Sequence, residues 1–384
     1  MVAITDYQLV HVPPRWLFLK LETSDGLVGW GEPLVEGRAA TVETAVGELM
    51  ESYLLGKPPH DIQRHWQAMY RGGFYRGGPV LMSAISGIDQ ALWDLKGKYT
   101  GEPIYELLGG RARDRVQIYQ GVGGDTPDAA GERARTLVDD GLTALKTSVG
   151  SDGFRRVETP ATVDAAAAYV GAIREAVGDE IYVAVDFHGR VSTPLAKELM
   201  AALEPHDPMF FEEPVLAEQR HAFAALAART RVPIATGERM YSRWDFRPLL
   251  EAGGVDIVQP DLSHAGGITE VYKIAAMAET YDAALAPHCP LGPIAFAACL
   301  QTDVACPNAI IQEQGLGVHR PTDSDGLDYL VGADPFGFEA GYVPAPTDPG
   351  LGIEVDEAVV EERAEVHDWH NPILENPDGS ITEW

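Results

Sequence analysis

Lysine is scarce in this chain. Of 29 basic residues seven are lysine, and 58 acids oppose them, for a formal net charge of −29 over 384 residues. That balance excludes nucleic acid as a partner, because its phosphates would be repelled. An anionic small molecule would have to be met by local cations or a metal. Cysteine is scarcer still. Cys289, Cys299 and Cys306 form neither a metal-ligand nor a disulfide spacing, and an odd count without a framework fits a reducing interior. No apolar run approaches the roughly 18 residues that cross a membrane, and Met1–Val10 lacks the basic and long apolar parts of a secretion signal. The expectation is a cytoplasmic protein with no membrane partner. The acids are spread along the chain, as expected of a halophilic protein whose surface carboxylates keep it hydrated in high salt.

What is present is globular. Apolar residues make up 45% and charged residues 23%, and the length predicts two domains. Residues 1–35 alternate: Trp16–Thr23 leads through Ser24-Asp25-Gly26 into Leu27–Glu32, a hairpin with Asp-Gly in its turn. From about residue 40 the period becomes helical, with Thr41 as an expected N-cap and Ser83–Lys98 as an amphipathic helix. Between them, Tyr70–Pro79 holds four glycines, Phe74, Tyr75 and two arginines, the composition of a functional loop. Residues 1–112 therefore read as an α+β domain, and the Pro/Gly-rich segment 331–384 as a tail that packs back on it.

The rhythm changes over 113–330. Short apolar strands are predicted at Val116–Tyr119, Thr143–Lys146, Ile181–Asp186, Met209–Phe211, Ile234–Thr236, Asp256–Gln259, Ala283–Ala286 and Ala309–Gln312, with helix-like stretches in most gaps. Gly124–Pro127 starts one such helix and Gly141 ends it. Eight units of this pitch favour a closed α/β barrel over an open sheet. In such barrels chemistry gathers at the carboxyl ends of the strands, where Lys146, Asp186, His188, Glu212, Glu238, Asp261, His288 and Glu313 all fall.

Asp186, Glu212 and Glu238 are spaced 26 residues apart and then 26 again. Three carboxylates aimed at one point repel one another unless a cation joins them. All-oxygen ligation favours Mg²⁺ over Zn²⁺. Glu213 falls out of that register and is expected to cap or pair. His188, two residues after Asp186, stands beside the metal as a general acid. His288 with Asp261, one strand earlier, forms a general-base pair. Glu313, if protonated, could donate to a developing oxyanion, and Lys146 offers positive charge across the mouth. Arg239, Arg190 and His264 are equally well explained by ordinary ion pairs.

Ala84–Lys98 followed by Pro103–Gly109 resembles the signature of the enolase superfamily, in its mandelate racemase and muconate lactonizing branch. Val12–Lys20, Gly29–Pro33, Glu36–Ala39, Tyr70–Pro79, Val185–Arg190, Gln259–Gly267 and Ala286–Pro293 narrow the likeness to that branch's galactonate dehydratase group. The resemblance implies a (β/α)7β TIM-like barrel with an N-terminal α+β capping domain, and one Mg²⁺ per site held by Asp186, Glu212 and Glu238. It implies His188 as acid, His288 as base leaning on Asp261, and Glu313 as oxyanion stabiliser. The implied reaction is β-elimination of water from a sugar acid, D-galactonate foremost. D-gluconate or D-xylonate dehydration, epimerisation, and non-catalytic sugar-acid binding are the alternatives. Lys146, Arg38 and Arg76 are the expected substrate contacts, the last two in capping loops, and a homo-oligomer is expected. The string Lys146-Thr-Ser148 lacks the second lysine that some branches use as base, which favours His288. Ser148 and Gly121 replace the Asn and Trp usual in the galactonate group.

Overall fold

The computed structural model describes residues 2–149, 154, 157–320, 326–365, 369–376 and 378–383. An antiparallel sheet forms first, from β1 (Ile4–Val12), β2 (Trp16–Thr23) and β3 (Val28–Gly31). The Asp25-Gly26 turn joins β2 to β3, with Gly26 at φ +84°, a conformation that costs glycine little. Helices α1 (Ala39–Leu49), α2 (Ile62–Arg71), α3 (Pro79–Thr100) and α4 (Ile104–Leu107) complete this unit. Thr41 is not the cap of α1. Arg38 occupies that position without a side-chain capping bond, because the turn that returns the Arg38 N–H to Val35 O starts the helix earlier.

Eight parallel strands follow: β4 (Arg115–Gly121), β5 (Ala144–Ser148), β6 (Tyr182–Asp186), β7 (Phe211–Glu212), β8 (Ile234–Thr236), β9 (Ile257–Val258), β10 (Ala284–Leu285) and β11 (Gln312–Glu313). Their order runs from β10 down to β4 and then to β11. Closure comes from the residues just before β11. Leu285 of β10 donates to Asn308 O and accepts from Ile310 N, each at 2.9 Å. One helix fills each gap: α5 (Pro127–Asp139), α6 (Pro160–Val177), α7 (Thr193–Leu203), α8 (Phe223–Ala227), α9 (Arg243–Ala252), α10 (Gly267–Glu279) and α11 (Pro293–Ala305). That alternation is (β/α)7β. Thr126 and Ser192 cap α5 and α7 as N-cap residues do, accepting from Ala129 N and Leu195 N. Inside the ring, Tyr119 and Phe210 pack among Ala144, Ala184, Ala235 and Ala286 with Ile257 and Ile311. Two large rings among alanines fill the barrel as a core.

The carboxyl-terminal segment is shared between the two domains. β12 (Tyr342–Pro344) pairs antiparallel with the first half of β4, because β11 pairs only Ile118 and Tyr119 and leaves the earlier edge open. Helix α12 (Glu357–Glu362) lies on the other side, with Glu357 at 2.7 Å from Lys20 of β2.

The two domains are stitched through buried polar groups. Glu32, just past β3, accepts Gly292 N and Ala295 N at the start of α11 at 2.7 and 2.9 Å. Along α3, Ser86 accepts from Gly266 N, Asp89 from Thr269 N, Gln90 donates to Ser263 Oγ and Trp93 donates to Thr269 Oγ1. These residues share one helical face. They grip the first turn of α10 and the loop between β9 and α10, which carries Asp261. A buried polar face is stable because its groups find partners, and of these side chains only Asp89 keeps an oxygen, Oδ1, without a hydrogen bond.

Candidate active site

The strand ends bring the sequence-derived residues to one mouth. Ligand oxygens of Asp186, Glu212 and Glu238 lie within 4.8 Å of one another. They are fixed from outside the cluster: the His188 N–H bonds Asp186 Oδ1 at 2.7 Å, and Gln259 bonds Glu212 Oε2 at 2.9 Å. Asp186 Oδ2 and Glu238 Oε2 are buried and accept no hydrogen bond. Two buried oxygens approached by His188, Lys146 and His288 at 3.1–3.5 Å but not hydrogen-bonded, in an all-oxygen ligand set, fit a hard divalent cation. Glu213 takes no part. Its φ of +42° turns it away, and its Oε1 accepts from Thr236 Oγ1 and Gly237 N at 2.5 and 2.8 Å. Gly237 is required between β8 and Glu238, since its φ is +140° and a Cβ there would meet the Phe246 ring.

The electrostatics show a cluster short of positive charge. Burial and then Asp186 push Glu212 up to about 8 against the pull of Lys146. Burial likewise lifts Asp186 to about 6. Burial acts on Glu238 in the same direction, but His288, Arg239 and His188 outweigh it and hold it below the usual range. Lys146 is inside the cluster and not across from it, donating to Glu212 at 2.6 Å and to Glu313 at 2.7 Å.

That pairing changes the reading of Glu313. Burial favours its proton, but Lys146 and His288 keep it below the ordinary carboxylate range, and Cys289 N donates to its Oε2 at 3.1 Å. It is an ionised partner of Lys146, so the condition for a neutral donor is not met here. Cys289 itself is buried packing.

His288 Nδ1 lies 2.8 Å from Asp261 Oδ2, and its Nε2 lies 3.4 Å from Glu238 and 4.0 Å from Glu313. Burial lowers its affinity for a proton. Glu238, Glu313 and Asp261 overcome that and hold the imidazole well above its usual range. His188 is the opposite case. Its φ of +51° ends β6 abruptly, its Nε2 lies 3.1 Å from Asp186 Oδ2, and burial pushes it down to about 4 despite Glu238. It is uncharged at neutral pH. The histidines follow β6 and β10, four strands apart around the ring of eight, so they face each other across the mouth.

A cavity of about 570 Å³ opens over this cluster, lined by Lys146, Asp186, His188, Glu238, His264, His288 and Glu313 below and by Arg15, Val35, Glu36 and Asn371 above. Arg38 and Arg76 are not among its lining residues. Arg38 bonds Gly37 O, and Arg76 stacks on Tyr70 in a loop whose Phe74 is 90% exposed. Two arginines reach the cavity: Arg239, next to Glu238, and Arg15, in the β1–β2 turn and paired with Glu36 at 3.2 Å. Sequence reasoning missed Arg15 and Asn371. Arg15 stood within the Val12–Lys20 string, and nothing local marked Asn371. Ser148 and Gly121 both line the cavity, and a Cβ at Gly121 would meet no atom within 4 Å.

The profile of the mandelate racemase / muconate lactonizing enzyme N-terminal domain matches residues 11–109, and that of the enolase C-terminal domain-like fold matches 129–359. The chain belongs to the mandelate racemase/muconate lactonizing family of the enolase superfamily. It is similar to proteins named D-galactonate dehydratase from Ralstonia pickettii strain 12J, 56% identical, and Variovorax paradoxus strain S110, 53% identical, each over 384 residues and all of both chains. Among solved structures, a family member from a Sulfitobacter species superposes with TM-score 0.89 at 31% identity, covering 100% of both chains. A family-like protein from a Roseovarius species superposes with TM-score 0.88 at 32% identity, covering 99% of each. The eight-stranded barrel beneath an α+β cap is thus the family's architecture, and among the described residues no helix is long and apolar enough to cross a membrane.

Proposed function

We propose that this chain is a Mg²⁺-dependent sugar-acid dehydratase that converts D-galactonate to 2-dehydro-3-deoxy-D-galactonate. The observation that carries the reading is the pair of histidines facing each other over three converging carboxylates, in a chain more than half identical to proteins named for that activity. Asp186, Glu212 and Glu238 would hold Mg²⁺, which would supply the positive charge that neutralises the sugar acid's carboxylate and acidifies its C2 proton. With cation charge in the tripod offsetting Glu238, the carboxylate that does most to keep His288 protonated, the neutral Nε2 of His288 can take that proton, Asp261 fixing the tautomer and steadying the imidazolium. Charge developing on the carboxylate as it becomes an enediolate falls near Lys146, whose ammonium is aimed by Glu212 and Glu313. His188 gives a proton to the departing 3-hydroxyl. Its ring is uncharged in the free protein, so that proton is taken up as the substrate binds. Placement across the mouth lets proton and hydroxide leave from opposite faces of the C2–C3 bond. The enol then becomes the 2-keto product.

A general acid supplies ~10²–10⁴-fold and one electrostatic donor ~3–4 kcal/mol, so several groups must act together to reach the ~8–23 kcal/mol typical of enzymes. Epimerisation would need bases on both faces of C2 and no acid at a leaving group, and the full-length relatives named for dehydration weigh against it. The deciding experiment offers D-galactonate, D-gluconate and D-xylonate with Mg²⁺ and reads 2-keto-3-deoxy product. D-Galactonate should be turned over best, and no product from any aldonate would overturn the reading. His288→Asn should abolish C2 proton exchange in D₂O, and surviving exchange would remove His288 as base.

The setting follows from composition. A net charge of −29 with seven lysines supports a halophilic enzyme, and a cytoplasmic homo-oligomer is part of the same proposal. Melting against KCl tests the salt requirement, and full stability in dilute buffer would refute it.

A further inference from the structure

His264 lines the cavity but has no part in the reaction above. Its Nδ1 lies 2.9 Å from Ser83 Oγ of α3, and its ring is buried, 8% exposed. Its Nε2 edge lies 3.7 Å from Asp261 Oδ2, beyond a hydrogen bond but in direct contact. That is the same oxygen that holds His288 Nδ1 at 2.8 Å. Two imidazoles thus flank one carboxylate oxygen, while the other, Oδ1, accepts the Ser263 N–H at 2.7 Å. Both residues that touch the Asp261 carboxylate from its own loop are gripped by the capping domain. Gln90 donates to Ser263 Oγ at 3.0 Å, and Ser83 engages His264. Ser83 and Gln90 are seven residues apart and so lie on one face of α3.

We propose that His264, clamped by Ser83, is a positioning residue for the Asp261–His288 pair. It walls the free side of Asp261 Oδ2, so the carboxylate has one rotamer and His288 one aim. The aim of the base therefore depends on the docking of the capping domain. This rests on the dehydratase reading for its kinetic arm alone.

The alternative is that Ser83–His264 is only one more stitch between domains. Ser86 separates the two ideas, because it bonds Gly266 N on the same loop without approaching Asp261. The full-length Mg²⁺-loaded variants His264→Ala, His264→Gln, Ser83→Ala and Ser86→Ala are compared in two ways. One is the kcat and KM for D-galactonate. The other is the downfield proton resonance of the His288–Asp261 hydrogen bond, which needs no substrate. His264→Ala should lower kcat by about tenfold or more with KM within about twofold, and should shift or broaden the resonance. Ser83→Ala should move both in the same direction by less, and His264→Gln, which keeps a polar atom near Nε2, should restore most of the rate. Ser86→Ala should lower the melting temperature yet leave kcat and resonance unchanged. Wild-type kcat and resonance in His264→Ala, or equal kcat losses in Ser83→Ala and Ser86→Ala, would overturn the proposal. If the wild type turns over no D-galactonate, the dehydratase reading fails and the resonance alone still decides the role of His264.

Discussion

The Lys146 ammonium lies 2.6 Å from Glu212 Oε1, so one member of the carboxylate tripod answers both to a fixed cation and to whatever fills the tripod. Two positive charges so close repel each other. Lys146→Met should therefore bind Mg²⁺ at least as tightly as the wild type, by calorimetric titration, while kcat falls on the order of 10²-fold. The metal-free variant should melt lower, since Glu212 and Glu313 are left buried without their cation, and Mg²⁺ should recover most of that loss. Mg²⁺ affinity weakened by the substitution would mean that Lys146 shapes the ligand set instead of competing with it.

Glu238 Oε2 is buried and accepts no hydrogen bond, with His288 Nε2 standing 3.4 Å away. Mg²⁺ in the tripod should therefore raise the melting temperature of the wild type, by the equivalent of about 2.7 kcal/mol at a hundredfold excess over Kd. Glu238→Gln, with the charge removed, should show little of that rise. Chelation should abolish turnover and added Mg²⁺ restore it. A Glu238→Gln protein stabilised as strongly as wild type would take Glu238 out of the ligand set.

His188 and His288 have separable tasks across the mouth. In His188→Asn, D-galactonate should still exchange its C2 proton with D₂O, read by NMR, while 2-keto product falls by ~10²–10⁴-fold. Equal loss of exchange and product would show that His188 serves proton abstraction as well.

Asp89 of α3 is fully buried, and burial pushes it up to about 7 against the pull of Thr269. Its folded-state proton is held where an unfolded aspartate has lost its own. Its stabilising contribution is therefore complete below about pH 4 and is lost as pH rises through about 7, at about 1.4 kcal/mol per pH unit for one proton. Asp89→Asn removes that slope. The melting temperature of Asp89→Asn minus that of wild type should grow more positive from pH 5 to pH 8, and a difference independent of pH would show that Asp89 is ionised throughout.

The barrel and its chemistry were legible because both are written in short-range pattern. Asp186, Glu212 and Glu238 sit at equal intervals because each repeats one strand–helix unit, and the strand-end rule then places them at one rim. The cavity's upper wall was not legible. Arg38 and Arg76 stood out by loop composition, yet neither lines the cavity, whereas Arg15 and Asn371 come from opposite ends of the chain and meet there through domain docking. No local period encodes that meeting. Glu313 shows the other limit: its place was predictable, but its charge depended on how near Lys146 folded to it.

The polar face of α3 bears on how the chain comes apart. Detaching the capping domain would surrender the bonds of Ser83, Ser86, Asp89, Gln90 and Trp93 to the β9–α10 loop and the first turn of α10, worth roughly 1 kcal/mol apiece, together with the Glu32 bonds that cap α11. Cap and barrel are therefore one foldon. They should melt in a single transition whatever the probe, and a barrel translated without its first hundred residues should fail to reach a native state.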